Sequence, residues 1–255
     1  MHRRSRLTGP LAGVTMFFLF WQLLAWAISR PILPPPGEVL PVFFDLMPGE
    51  LGLHSLASLA RVLAAIVLAT VTAAPVGLAL GQMKRLDRIF SPLIAIVYPI
   101  PKIVLLPVIY VLMGITNFSK IFLIAIILFF QILVVVRDEA AQLRPELILS
   151  VRSLGAGRKA LFRYVYLPAS LPATLTALRV TTGTAIAVLF IAEQSLTRYG
   201  LGYYIVVETY QVLRYREMYA GILAMSVLGL LLYSVLDWLE RRTNRHLHLD
   251  EERAQ

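Results

Sequence analysis

Few residues in this chain have the types and spacing that chemistry requires. Its four histidines are His2, His54, His246 and His248. His246 and His248 are two apart in a basic tail and can chelate a metal adventitiously, but no acidic or histidine partner stands at the ligand spacing of a helix, so they read as a tail solvated at the membrane face. No H-E-x-x-H occurs, and no Ser, His and Asp can be assigned to one membrane depth. Gly155-Ala156-Gly157-Arg158-Lys159-Ala160 is glycine-rich and basic but lacks the G-x-x-x-x-G-K-[ST] spacing of a phosphate loop. Gly200-Leu201-Gly202 lacks the third glycine of a dinucleotide fingerprint. The expectation is therefore no catalytic residue, no metal and no cofactor held by this chain.

Charges inside apolar runs are the remaining candidates for function, because they are costly there. Lys102 follows Pro99 and Pro101, where a kinked helix can turn its ammonium into a water-filled path. Glu193 closes an apolar run just before Gly200. Two readings stand for both: contact with a charged solute or a gate, or a structural ion pair. Arg61 and Arg179 fall within one or two turns of a run's end and are read as snorkelling to the headgroups.

The elements that must hold these residues follow from composition. The chain has 255 residues, 58% apolar, 15% charged and without cysteine, with mean hydropathy +0.73. Soluble domains sit nearer about 45–50% apolar and about 25% charged. A disordered chain, a disulfide scaffold and a Cys-ligated metal site are excluded. The class is an all-α integral membrane protein, a single transmembrane domain over residues 1–255. Six runs are long enough to span, at about 10–28, 56–81, 89–113, 118–136, 171–192 and 217–238. For the first, a cleaved signal peptide competes. Its length, with Trp21 and Trp26 as interfacial anchors, favours a retained helix.

The net charge of +9 reads as topology rather than nucleic-acid binding. With the N-terminus inside, the cytoplasmic side collects Arg3, Arg4, Arg6, Lys84, Arg85, Arg88, Arg137, Arg144, Arg152, Arg158, Lys159, Arg163, Arg241, Arg242, Arg245 and Arg253. The outside keeps only Arg30, Lys120, Arg198, Arg214 and Arg216. Both termini are then cytoplasmic. Residues 29–55, rich in Pro and Gly, read as an ordered external connection stiffened by Pro34-Pro35-Pro36. Neither a period of 20–50 residues nor an inverted repeat is visible. Gly77 and Gly81 form a G-x-x-x-G, read either as a close helix contact or as chance in an Ala/Gly-rich helix. Pro92, Pro99, Pro101 and Pro107 crowd the third span, and backbone so interrupted must be covered by protein or line water.

The cytoplasmic stretch 137–170 is the most informative. Pro145 can open a helix and Gly155 can close it in the left-handed conformation. Leu147, Val151 and Leu154 share one face; Leu161, Phe162 and Val165 share another. Two short helices with apolar faces suit either a partner's groove or the headgroup layer.

The stretch from Gly155 through nine residues to Val165-Tyr166-Leu167-Pro168 resembles the G-x9-I-x-L-P half of the cytoplasmic motif of binding-protein-dependent ABC-importer permeases. Leu33-Pro34-Pro35-Pro36, His54-Ser55-Leu56 with Arg61, Tyr98-Pro99-Ile100-Pro101-Lys102 with Leu106-Pro107, Ala192-Glu193 and Gly200-Leu201-Gly202 are similar to the aliphatic sulfonate, taurine and nitrate branch. The resemblance covers about residues 30–242. The family's E-A-A falls here on Leu149, Ser150 and Val151, so the acidic residue is missing, and the literal Glu139-Ala140-Ala141 is out of register.

The resemblance implies a six-helix inner-membrane permease with a helix-turn-helix coupling segment at about 144–168 between helices 4 and 5. Leu149, Ser150, Val151, Gly155, Val165, Leu167 and Pro168 would meet a separate ATPase. Pro99, Pro101, Lys102 and Glu193 would border the translocation path. It further implies two ATP-binding subunits carrying ATP and Mg, a second permease chain (a homodimer by default), an external solute-binding protein and a bacterial cytoplasmic membrane. The solute would be a small anion or zwitterion resembling a sulfonate, taurine or nitrate. Competing classes are a small channel, an energy-coupling membrane component without a soluble binding protein, and an integral-membrane enzyme.

Overall fold

The computed structural model describes residues 5–143, 145–194 and 197–243. His2, the tail histidines and Arg3, Arg4, Arg144, Arg245 and Arg253 lie outside the described residues. All described secondary structure is helical: α1 Ser5–Ile28, α2 Pro36–Leu46, α3 Glu50–Gln82, α4 Lys84–Val97, α5 Leu106–Met113, α6 Asn117–Ala141, α7 Pro145–Ser153, α8 Arg158–Leu161, α9 Leu167–Glu193, α10 Leu201–Tyr203 and α11 Tyr215–Thr243. Short 3-10 turns cover Lys102–Leu105 and Tyr210–Val212, and π turns cover Phe162–Tyr166 and Tyr204–Thr209.

Four stretches are long and apolar enough to cross a bilayer: Glu50–Gln82, Asn117–Ala141, Lys159–Glu193 and Tyr215–Thr243. A fifth is reached only if α4 and Lys102–Met113, which meet at a bend of 81°, count together as one broken span. The apolar part of α1, Ala12–Ile28, is shorter. Val111 is 85% and Leu112 78% exposed, among many outward-facing Leu, Val and Phe side chains. Water would not tolerate such surface; hydrocarbon is the solvent that matches it.

The chain forms two compact units. One combines the chain up to Ser58 with Glu193–Val227. In it the Trp21 Nε1–H donates to the Pro34 carbonyl at 3.0 Å, and the Trp21 indole stacks on Tyr219 at 5.6 Å. Trp21 is buried, so of the two expected interfacial anchors only Trp26 faces outward. Pro36 sits at the start of α2, where its missing N–H costs nothing. Arg216 reaches Glu38 at 2.7 Å.

The other unit combines Leu59–Ala192 with the chain from Leu228. Gly77 and Gly81 lie directly against α6: a Cβ on Gly77 would come within 2.9 Å of the Leu133 carbonyl, and one on Gly81 would strike the Arg137 carbonyl and the Ala140 methyl. The G-x-x-x-G is thus a packing face between α3 and α6. Gln82 donates to the Ala140 carbonyl beside it. Asp87 of α4 receives Arg137 of α6 at 2.6 Å. Thr116 and Ser119 form a reciprocal capping box that starts α6.

Two expectations change. The apolar run at 89–113 is a broken helix rather than a kinked one, because Pro99 and Pro101 remove two closely spaced N–H donors just past the end of α4, while Pro92 is carried inside α4 and Pro107 in the first turn of α5. The second cytoplasmic helix does not stop before the fifth span, since helix runs unbroken from Lys159 to Glu193. Pro168 has no N–H for the Tyr164 carbonyl, and the π turn at Phe162–Tyr166 absorbs that mismatch instead of ending the helix.

Candidate functional site

At the end of α7, Gly155 adopts φ +81°, the left-handed region that glycine enters without a Cβ penalty. Its N–H donates to the Arg152 carbonyl at 2.9 Å, and the Ala156 N–H donates to Val151 at 3.4 Å, the paired bonds of a Schellman terminus. Beyond this elbow Leu161 and Val165 point inward and are buried, whereas Phe162 faces out. Leu147, Leu149 and Leu154 on the α7 side are exposed, Leu154 at 86%. Val151 is half-buried, the Ser150 hydroxyl caps the Leu147 carbonyl at 3.1 Å, and Leu167 and Pro168 are exposed. Of the seven residues expected at the elbow, then, Val165 anchors it while Leu149, Leu167 and Pro168 are presented outward.

The broken helix holds Pro99, Pro101 and Lys102 together. The buried Lys102 ammonium donates to the carbonyls of Val97, Tyr98 and Ile100 at 3.0, 2.9 and 3.2 Å. These carbonyls lie at and just beyond the end of α4, where the helical ladder runs out and, among the described residues, only Val97 keeps a backbone donor, the Ile100 N–H at 3.2 Å. The same Nζ lies 4.5 Å from the Phe130 ring centroid. A cavity of about 340 Å³ opens here, lined by Pro99, Lys102, Ile127, Phe130, Gln131 and Val188 among others. The Gln131 Oε1 atom is buried there without a hydrogen-bond partner among the described residues. Lys102 is therefore the clasp of the break, set at the wall of a polar-edged cavity.

Glu193 belongs to a different constellation. Its carboxylate is fully buried, and Oε2 accepts the Ser58 hydroxyl at 2.7 Å and the Gly202 N–H at 3.1 Å. Ser58 Oγ accepts the Leu201 N–H at 2.8 Å. His54, also buried, has Nδ1 3.1 Å from both the carbonyl and the N–H of Gly200, whose φ of 141° excludes ordinary side chains. Its Nε2 lies 3.2 Å from Glu208. Burial, chiefly, pushes the Glu208 carboxyl above its ordinary value, with Glu50 adding to the shift while His54 and Arg214 oppose it. Burial likewise raises the Tyr204 phenol to about 12. His54 and Ser58, more than 130 positions before the Glu193–Gly202 stretch, join Glu193, Gly200 and Gly202 in one network; Lys102 is no part of it.

Sequence reasoning missed several partners. Arg61 does not snorkel: it is buried, and its Nε donates to Asn117 at 3.0 Å. Arg179, part-exposed, has acidic partners that its sequence position did not announce. It pairs with Glu240 at 2.6 Å and lies 3.6 Å from Asp237 across the α9–α11 contact. Lys120, counted with the outside loops, is buried in the first turn of α6, 5.9 Å from the Tyr110 ring. Its place inside an apolar run was the available signal.

Membrane-length helices, a broken apolar helix and a short helix on a glycine elbow define the class as an integral membrane protein. Residues 65–245 match the family described as binding-protein-dependent transport system inner membrane component, and the chain belongs to it. It is the permease component of an ABC importer, and its relatives are permease subunits, not enzymes. The taurine transport system permease protein TauC of Escherichia coli (strain K12) is 30% identical over 241 residues, spanning 92% of this chain and 86% of that protein. The putative aliphatic sulfonates transport permease protein SsuC of Bacillus subtilis (strain 168) is 27% identical over 225 residues, 87% of this chain and 81% of the relative. An inward-facing structure of the MetNI methionine ABC transporter shares the fold, with TM-score 0.62 at 23% identity over 74% of this chain and 94% of that one.

Proposed function

We propose that this permease carries a small anionic or zwitterionic solute of the sulfonate and taurine kind inward, driven by separate ATP-binding subunits. The substrate class rests on likeness to the taurine and aliphatic sulfonate relatives. In this reading α1 supplies a sixth span, both termini are cytoplasmic, two permease chains form the pore and each meets one ATPase. ATP and Mg belong to that partner, and an external binding protein delivers the solute.

The observation that carries the mechanism is the elbow. Leu154 and Leu147 are exposed on a short helix whose direction is fixed by Gly155, while Leu161 and Val165 root the following turn in the protein interior. Such a lever passes motion of a docked partner into the long helix Lys159–Glu193 without a flexible joint. Pro99, Pro101, Lys102 and Glu193 are proposed to shape the path by holding broken backbone in place. Lys102 and Glu193 do so through the backbone bonds described above.

Cysteine at Leu154 tests the reading. In membranes containing the ATPase subunit, a short thiol cross-linker should join the two proteins, with a yield that changes when ATP is bound. Efficient labelling of that cysteine by a bulky aqueous reagent in the assembled transporter, with no cross-link, would overturn the docking.

A further inference from the structure

Glu50 and His54 lie four apart in the opening turns of α3 and so share a face. Glu208 reaches them from the π turn Tyr204–Thr209. One ligand atom from each of the three falls within 4.8 Å of the others. The His54 ring is enclosed by Tyr199, Tyr203 and Tyr204, with centroids 5.7, 6.3 and 5.2 Å away. The Glu208 oxygen facing Nε2 is buried and, at 3.2 Å, forms no directed hydrogen bond. It is an acceptor aimed at a place where, among the described residues, no well-aligned donor stands.

We propose that Glu50, His54 and Glu208 form a site for one borderline divalent cation of the Zn²⁺ class. An imidazole nitrogen with two carboxylates suits such an ion, whereas Ca²⁺ and Mg²⁺ take all-oxygen sets. Gly200 supplies the orienting contact that metal-bound histidines need: its carbonyl takes the Nδ1–H, which leaves the Nε2 lone pair toward the carboxylates. Without the ion, the Gly200 N–H at the same distance serves the other tautomer, so the ring switches without moving. Metal–ligand distances of about 2.0–2.2 Å require the three atoms to draw closer, and the exposed Glu50 side chain has the freedom to do so. The ion would tie the start of α3 to the Tyr204–Thr209 turn within one compact unit. The site is independent of the transported solute.

The test uses the full chain in nanodiscs, with His246 and His248 changed to alanine to remove tail chelation. Equilibrium dialysis against Zn²⁺ should give one ion per chain, and Zn²⁺ should raise the unfolding temperature. Glu50→Gln at an exposed position, and separately Glu208→Gln, should each weaken binding by about tenfold or more, with thermal stability in chelator unchanged for Glu50→Gln. Unaltered affinity in the Glu50→Gln/Glu208→Gln double variant, or no Zn²⁺ bound by the starting protein, would overturn the assignment.

Discussion

The Ser58 hydroxyl donates to the Glu193 carboxylate at 2.7 Å, and neither residue is accessible. Ser58 is itself an acceptor for the Leu201 N–H, while Glu193 takes the Gly202 N–H. The two side chains thus satisfy amides at the start of α10 that no helical carbonyl reaches. From sequence, Glu193 reads as an ion-pair partner or a solute contact; the fold adds a hydroxyl and a backbone amide, and these make it a brace for the turn at Gly200.

Removing that acceptor leaves buried donors unmade. Glu193→Ala should lower stability by about 3 kcal/mol, and Glu193→Gln, which retains one acceptor oxygen, by about half as much. Thermal unfolding of the purified permease reads this directly. A Glu193→Gln protein of unchanged stability with a raised KM for transport would assign the carboxylate to the solute instead.

At Gly155 the requirement is conformational rather than steric, because a Cβ there would meet nothing within 4 Å. A left-handed L-residue costs about 1–2 kcal/mol, more for a β-branched one, and Asn least. Gly155→Val should therefore abolish transport and decouple it from the ATPase, while Gly155→Asn retains much of both. Comparing solute-stimulated ATP hydrolysis in the two reconstituted variants checks the elbow. Equal behaviour of Val and Asn would mean that the backbone angle is irrelevant.

Much of this was legible in the residues. Apolar runs marked the long helices and Gly155 its turn, since each depends on local pattern, whereas Gly77 and Gly81 read equally as a contact or as chance until the fold set them against α6. The break at Pro99 and Pro101 was visible only as a kink. What sequence could not supply was that Lys102 folds back onto three carbonyls of its own broken helix, a choice set by geometry. Pairings such as Arg61 with Asn117, and Arg179 with Glu240, join residues more than fifty positions apart, and no periodicity encodes them.

Gly81 gives a packing test. A methyl there collides with backbone of α6, which cannot swing aside like a side-chain end. Gly81→Ala should cost about 1–3 kcal/mol as α3 and α6 are forced apart. Gly183→Ala, where the added methyl meets open space, is the control and should be neutral or stabilising. Matching melting temperatures for the two would deny the close contact its role.

The Arg179–Glu240 pair supplies a test in which two changes should do less harm than one. Glu240 also accepts the Thr176 hydroxyl at 2.6 Å, and Asp237 keeps Arg241 at 2.9 Å, so the arginine can be removed without stranding Asp237. Arg179→Met alone leaves the Glu240 charge largely buried and should cost about 2–3 kcal/mol, somewhat less than a fully enclosed pair because Arg179 is part-exposed. Adding Glu240→Gln removes that charge yet keeps an oxygen for Thr176, so most of the lost stability should return. In a double-mutant cycle by thermal unfolding, the coupling should exceed about 1 kcal/mol. Strict additivity would mean that the two helices are held by apolar contact alone.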